Sequence, residues 1–165
     1  MNWKVQLCEL NYDKNEARAV SKVLANEWLT MGERSREFEN SFKKYIDHEN
    51  NGVFVSSATA GLHLILMSMG VTTGDEVILP ALTFVSDANV VRQLGAKPIF
   101  VDSTDELNFN VSERGIIEKI SAKTRAIIIV HFAGFPMDLT QLVQISKSKN
   151  IPIIEDCAHA PGASI

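Results

Sequence analysis

The run Ala126-Ile-Ile-Ile-Val130 constrains this chain most tightly. Five apolar residues in succession leave no polar face for water, so a strand built from them must be covered on both sides. Strands of that kind belong to parallel sheets sandwiched between helices. Beyond residue 52 the sequence repeats the demand. Short apolar runs at 53–55, 76–80, 98–102, 126–130 and 151–154 read as five strands, and helical patterns fill the gaps between them. The first gap carries Leu62, Ile65, Leu66 and Met69 on one stripe, closed by Gly70. The second is a helix over 83–94 with Gly95 just beyond its end. The third starts at Ser112 as a cap and runs to Ile120, with Gly115 inside it weakening the pattern. In the fourth, Asp138-Leu-Thr-Gln141 has the form of a capping box for a helix to Lys149, which Asn150 ends. The expected fold is therefore α/β: a three-layer, mostly parallel sheet with helices on both faces.

Residues 1–52 have a different rhythm. Ala17, Val20, Val23 and Leu24 give one helix over 15–24, and Phe38, Phe42, Tyr45 and Ile46 stripe a second over 33–47. The turn-forming Glu49-Asn-Asn-Gly52 follows. Between the helices, Trp28 beside Thr30 and Gly32 reads either as a packing anchor or as a ligand contact. We expect 1–52 to be a helical segment outside the sheet, forming one globular unit with an α/β domain over 53–165.

Composition narrows the functional classes. With 165 residues, 45% hydrophobic and 22% charged, the chain can bury one sizeable core. A net charge of −4 without a basic stripe argues against nucleic-acid binding. No apolar run is long enough for a bilayer, and the first residues lack a signal-peptide core. Cys8 and Cys157 have no metal-ligand spacing and form no disulfide framework, so no metal site is expected and a reducing cytoplasm fits.

All strands of a parallel sheet end at one edge, where α/β proteins bind ligands. Ser56, Ser57 and Thr59 would sit there at a helix N-terminus, where free N–H groups, hydroxyls and the helix dipole suit a phosphate. Neither a Walker loop nor Gly-x-Gly-x-x-Gly is present. Phe84 follows the second strand, Asp102 the third, and His131 and Phe132 the fourth. The last strand delivers Asp156 and, three residues on, His159, which one turn of helix would align on a single face. Taken singly these are bland: hydroxyls and Asp156 as caps, Phe84 as core. Together a phosphate cradle, an aromatic face and an Asp–His pair describe a site for a flat, phosphorylated, protonatable heterocycle such as pyridoxal 5′-phosphate (PLP).

The same residues resemble the DegT/DnrJ/EryC1/StrS family of PLP-dependent sugar aminotransferases. The resemblance runs through Trp28-Leu-Thr-Met-Gly32, Ser56-Ser-Ala-Thr-Ala-Gly-Leu-His63, Gly74-Asp-Glu-Val-Ile-Leu-Pro80, Thr83-Phe84, Gly95-Ala-Lys-Pro98, Val101-Asp102, His131-Phe-Ala-Gly134 and Glu155-Asp-Cys-Ala-His159-Ala-Pro-Gly162. It implies the fold-type-I large domain, in part. It implies that Ser57, Ala58, Thr59 and Ala60 hold the cofactor phosphate and that Phe84 stacks on its ring. Asp156 would pair with the ring nitrogen, and His159 would approach the phenolic oxygen. Thr30 and Gly32 would lie near a nucleotide-sugar substrate, which the Ser-Ser-Ala-Thr-Ala-Gly run suggests is a 4-keto sugar on UDP. An amino donor such as glutamate and a homodimer are also implied. The lysine that holds the cofactor covalently in the family follows the Asp–His segment and is not among these 165 residues, so this chain alone is expected to be inactive. The alternatives are a sugar dehydratase of the same family and a truncated, noncatalytic binding module of the same fold.

Overall fold

The computed structural model describes residues 10–25, 28, 30–46 and 51–164. The chain divides into two compact units, Met1–Phe54 and Val55–Ile165. The first holds helices α1, Lys14–Ala25, and α2, Glu33–Ile46. Asp13 starts α1 with a reciprocal cap: its carboxylate accepts from Asn15 N–H at 2.6 Å, while its own N–H donates to Glu16 at 2.7 Å. On α2 the rings of Phe38 and Phe42 stack at 5.8 Å. Trp28 is an anchor of the intervening loop. Its indole lies so close to Gly32 that a Cβ there would stand 2.6 Å from the ring, and its N–H reaches Met31 O at 3.4 Å. The helix end predicted at Asp47, the turn residues Glu49 and Asn50, and Cys8 lie outside the described residues.

The second unit is the α/β part. In chain order it runs α3 (Ala58–Ser68), β1 (Glu76–Pro80), α4 (Ser86–Gln93), β2 (Lys97–Val101), α5 (Glu113–Lys119), β3 (Thr124–Val130), α6 (Thr140–Lys149) and β4 (Ile153–Asp156). The four strands pair in the order β2-β1-β3-β4, all parallel. Alternate residues of each strand face opposite layers, which is why the isoleucine run has no outside. Val77, Leu79, Ala126, Ile128 and Ile154 meet Leu62 and Leu66 of α3 and Val90 and Val91 of α4. Ile78, Val101, Ile127 and Ile129 meet Ile116 of α5 and Leu142 of α6.

Three expectations are corrected. Residues 53–55 are not a strand: Val53 is 78% exposed, and Phe54 donates its N–H to Glu39 Oε1 and sets its ring edge-on to Phe38 at 5.1 Å. Three apolar residues make a strand only where a neighbour offers a ladder, and none of the described strands pairs there. Among the described residues the sheet therefore has four strands, not five. Ile65, expected inside, is 38% exposed, because only Leu62 and Leu66 of α3 point squarely at the sheet. The capping box before α6 does not form. Asp138 spends its carboxylate on Thr140, and Glu113 of α5 instead accepts from Leu142 N–H at 2.7 Å, capping α6 from the neighbouring helix.

The helix ends were plainer. Ser57 Oγ accepts from Ala60 N–H at 3.1 Å, Ser112 Oγ from Gly115 N–H at 3.0 Å, and Asn150 closes α6 in the left-handed conformation, φ 55°.

Candidate functional site

From β1 the chain crosses to β2 on one side, then returns to β3 on the other, so the connections diverge above the carboxyl ends of β1 and β3. Helix α3 runs back along the sheet into β1, which sets its N-terminus at the same rim. There Ser57 accepts from Ala60 N–H and Gly61 N–H, through side chain and carbonyl respectively. The N–H groups of Ala58 and Thr59 have no acceptor among the described residues, and Thr59 is half-buried. Two free donors and a hydroxyl at the positive end of a helix are what a phosphate dianion needs.

Phe84 follows β1 by four residues and is 71% exposed. A phenyl ring left so bare on a well-packed unit has no role in the core beneath it. Asp102, after β2, is bound locally: its Oδ1 accepts from Ser103 N–H at 2.9 Å.

Asp156 is the last residue of β4, paired in register with Val130. The strand thus carries Glu155 and Asp156 inside it, four residues long as expected but set two residues later than the apolar pattern suggested. Its Oδ1 accepts from Ala158 N–H at 2.8 Å, while Oδ2 takes no hydrogen bond among the described residues. The helical turn that would have aligned Asp156 with His159 is absent. Residues 157–160 instead form a tight turn closed by Ala160 N–H on Cys157 O, because Asp156 draws the following N–H back onto itself. His159 finds its partners across the rim: Nδ1 accepts from Ala133 N–H at 3.2 Å, and its ring stands edge-on to Phe132 at 5.6 Å.

Two features escaped the sequence. Asp87, on the inner stripe of α4, is fully buried; Thr83 Oγ1 donates to it at 2.5 Å and Ser86 Oγ at 3.2 Å. Burial pushes its carboxyl above the usual range, and the neighbouring charge of Asp156 pushes the same way against those hydroxyls. The signal was its spacing with Val90 and Val91, which put an acid on an apolar face. Second, buried His131 binds Glu155 through Nε2 at 2.9 Å while Nδ1 accepts from Met137 N–H at 3.0 Å. With its lone pair fixed on Nδ1, the ring carries its proton on Nε2 and donates it to the carboxylate. Glu155, His131 and Cys157 bring their ligand atoms within 4.8 Å of one another. A metal ion on Nε2 would displace that proton and leave two hydrogens facing each other at Met137, so the trio is wired as a tie between β3 and β4. Burial, then Glu155 and Asp156, hold the Cys157 thiol above its usual range. The tip of β4 is thus an acidic corner, suited to a cationic group.

Thr30 is exposed and Gly32 lies beneath Trp28, both in the first unit.

A model of the DegT/DnrJ/EryC1/StrS aminotransferase family matches residues 11–165. The chain belongs to this family. Within it, the UDP-4-amino-4-deoxy-L-arabinose–oxoglutarate aminotransferase of Shewanella sediminis (strain HAW-EB3) is 42% identical over 158 residues, covering 94% of this chain and 40% of the relative. GDP-perosamine synthase of Escherichia coli O157:H7 is 41% identical over 149 residues, covering 90% and 40%. Among solved structures, the candidate sugar aminotransferase Spr1654 of Streptococcus pneumoniae in its PLP form superposes with a TM-score of 0.86 at 29% identity, over 96% of this chain and 44% of that one. The four-stranded parallel sheet with its helices is part of the fold-type-I architecture of PLP-dependent aminotransferases. The chain spans about 40% of the length of the curated relatives it matches. No helix among the described residues is long and apolar enough to cross a membrane.

Proposed function

We propose that this chain is the cofactor-binding part of a PLP-dependent nucleotide-sugar aminotransferase. The observation that carries the reading is the free Oδ2 of Asp156 in an acidic corner, on the same rim as the open N–H groups of α3. Asp156 would hold a proton on the pyridine nitrogen, since a cation there relieves the repulsion between Asp156 and Asp87. Ala58 and Thr59 would give N–H groups to the phosphate, with the Thr59 hydroxyl beside them and Ser57 and Ala60 fixing the helix start. Phe84 would lie against the ring, recovering its exposed face by stacking. His159 would approach the phenolic oxygen. When bound, PLP supplies the electron sink that amino transfer requires.

Both curated relatives act on nucleotide-linked sugars by name, one with oxoglutarate as its partner, and these support a nucleotide-sugar substrate and glutamate as donor. Thr30 and Gly32 are our candidates for substrate contact. A homodimer in the cytoplasm fits the same reading.

Binding tests it without turnover. Pyridoxamine 5′-phosphate has no aldehyde, so it does not react with surface lysines, and calorimetry reports the site alone. We expect saturable binding by the 165-residue chain, weakened at least tenfold, or about 1.4 kcal/mol, by Asp156→Ala. Equal binding by both proteins would contradict the proposal.

A further inference from the structure

The turn between β3 and α6 carries more order than a connection needs. Ala133 adopts φ 54°, ψ 21°, a left-handed conformation unfavourable for a non-glycine residue. Gly134 follows at φ 89°, and a Cβ on it would stand 3.2 Å from the carbonyl oxygen of His159. Buried Asn110 grips the turn at both ends, accepting from Phe132 N–H at 3.0 Å and donating to Phe135 O at 2.9 Å. Phe109 and His159 flank the Phe132 ring, each edge-on with centroids 5.6 Å apart. What this order achieves lies at one atom: the Ala133 N–H points at His159 Nδ1.

We propose that residues 132–134 are a positioning device that locks the His159 imidazole in its Nε2–H tautomer and aims that N–H toward the rim. An imidazole whose Nδ1 lone pair accepts a hydrogen bond keeps its single proton on Nε2 when neutral. The T-shaped contact with Phe132 fixes the ring plane, and the absent side chain at Gly134 lets the His159 backbone approach. The left-handed Ala133 is the residue whose N–H makes the bond to Nδ1. The residue thus offers the site a donor and not a lone pair, which matches an oxygen acceptor such as a phenolate. That last step rests on the proposed PLP reading; the tautomer does not.

The test is imidazole nitrogen NMR on the uniformly 15N-labelled 165-residue chain at pH 8, above the ordinary imidazole range. The His159 signals are identified by their loss in His159→Gln. We expect a pyridine-type Nδ1 and a pyrrole-type Nε2, retained in Ala133→Gly, which keeps the N–H and relieves the strained φ. In Gly134→Ala the added methyl presses on the His159 carbonyl, and the signals should move toward the averaged values of a tautomer mixture. A mixture or an Nδ1–H form in the unaltered chain overturns the proposal whether or not Gly134→Ala folds, and so does loss of the signature in Ala133→Gly. If the tautomer is locked but pyridoxamine 5′-phosphate does not bind, the device stands and the cofactor reading fails.

Discussion

At the residue scale the decisive pair is Asp156 and Asp87. Asp156 was legible because an acid interrupting an apolar strand is conspicuous. Asp87 was not, because Ser86-Asp87 looks like an ordinary helix start and only three dimensions bring it near the end of a strand 69 residues later. The helix itself begins later than its pattern suggested, at Ser86 and not Thr83, since Thr83 turns its hydroxyl onto Asp87. A carboxyl raised in the folded state binds its proton more tightly folded than unfolded. Its stabilising effect is full below 3.8, the ordinary value, and disappears as pH rises through the raised folded value. Asp87→Asn keeps an oxygen for Thr83 and removes the charge. Thermal melts should therefore show the variant more stable than the parent at pH 7, with the difference shrinking as pH falls toward 4. A variant less stable at pH 7 would mean that the hydroxyls, not the burial, dominate at that position.

At the element scale, caps and stops were readable because they depend on one or two local residues, as Ser57, Ser112 and Asn150 show. What could not be read was anything needing a partner from elsewhere. Residues 53–55 have strand-like side chains but no ladder, and α6 is capped by Glu113 from another helix. Gly115 belongs to the same class. It looked like a flaw in α5, yet a Cβ there would sit 3.0 Å from Val101 Cγ1 and 3.0 Å from Ser112 Oγ, so its absence lets the helix lie close on β2. Gly115→Ala gains about 1 kcal/mol in helix propensity and loses roughly 1–3 kcal/mol to overpacking against a buried β-branched side chain. We expect a net loss near 1 kcal/mol, visible as a lower urea midpoint at an unchanged slope; a higher midpoint would show that Val101 yields freely. The core beneath the rim is less forgiving. Leu66 is wholly buried, so Leu66→Ala should cost about 2–5 kcal/mol in the same urea unfolding experiment. A cost below 1 kcal/mol would mean that α3 is not anchored by that side chain.

At the scale of the whole molecule, one consequence of a parallel sheet organises the account: every strand ends on the same edge, and a helix leading into a strand begins there. That rule gathers Thr59, Phe84, His131 and Asp156 from four separate stretches of sequence, which is why a candidate site could be proposed from the sequence alone. The strand count could not, because pairing depends on neighbours the local pattern does not contain. The central claim is that the Asp156 carboxylate faces a protonated pyridine nitrogen. Pyridoxamine 5′-phosphate labelled with 15N in its ring and bound to this chain reports that proton directly, as its nitrogen resonance is followed against pH. The account predicts a ring nitrogen that stays protonated to a higher pH when bound than when free, an advantage that Asp156→Ala removes. A bound ring that loses its proton at the same pH as the free compound would contradict it.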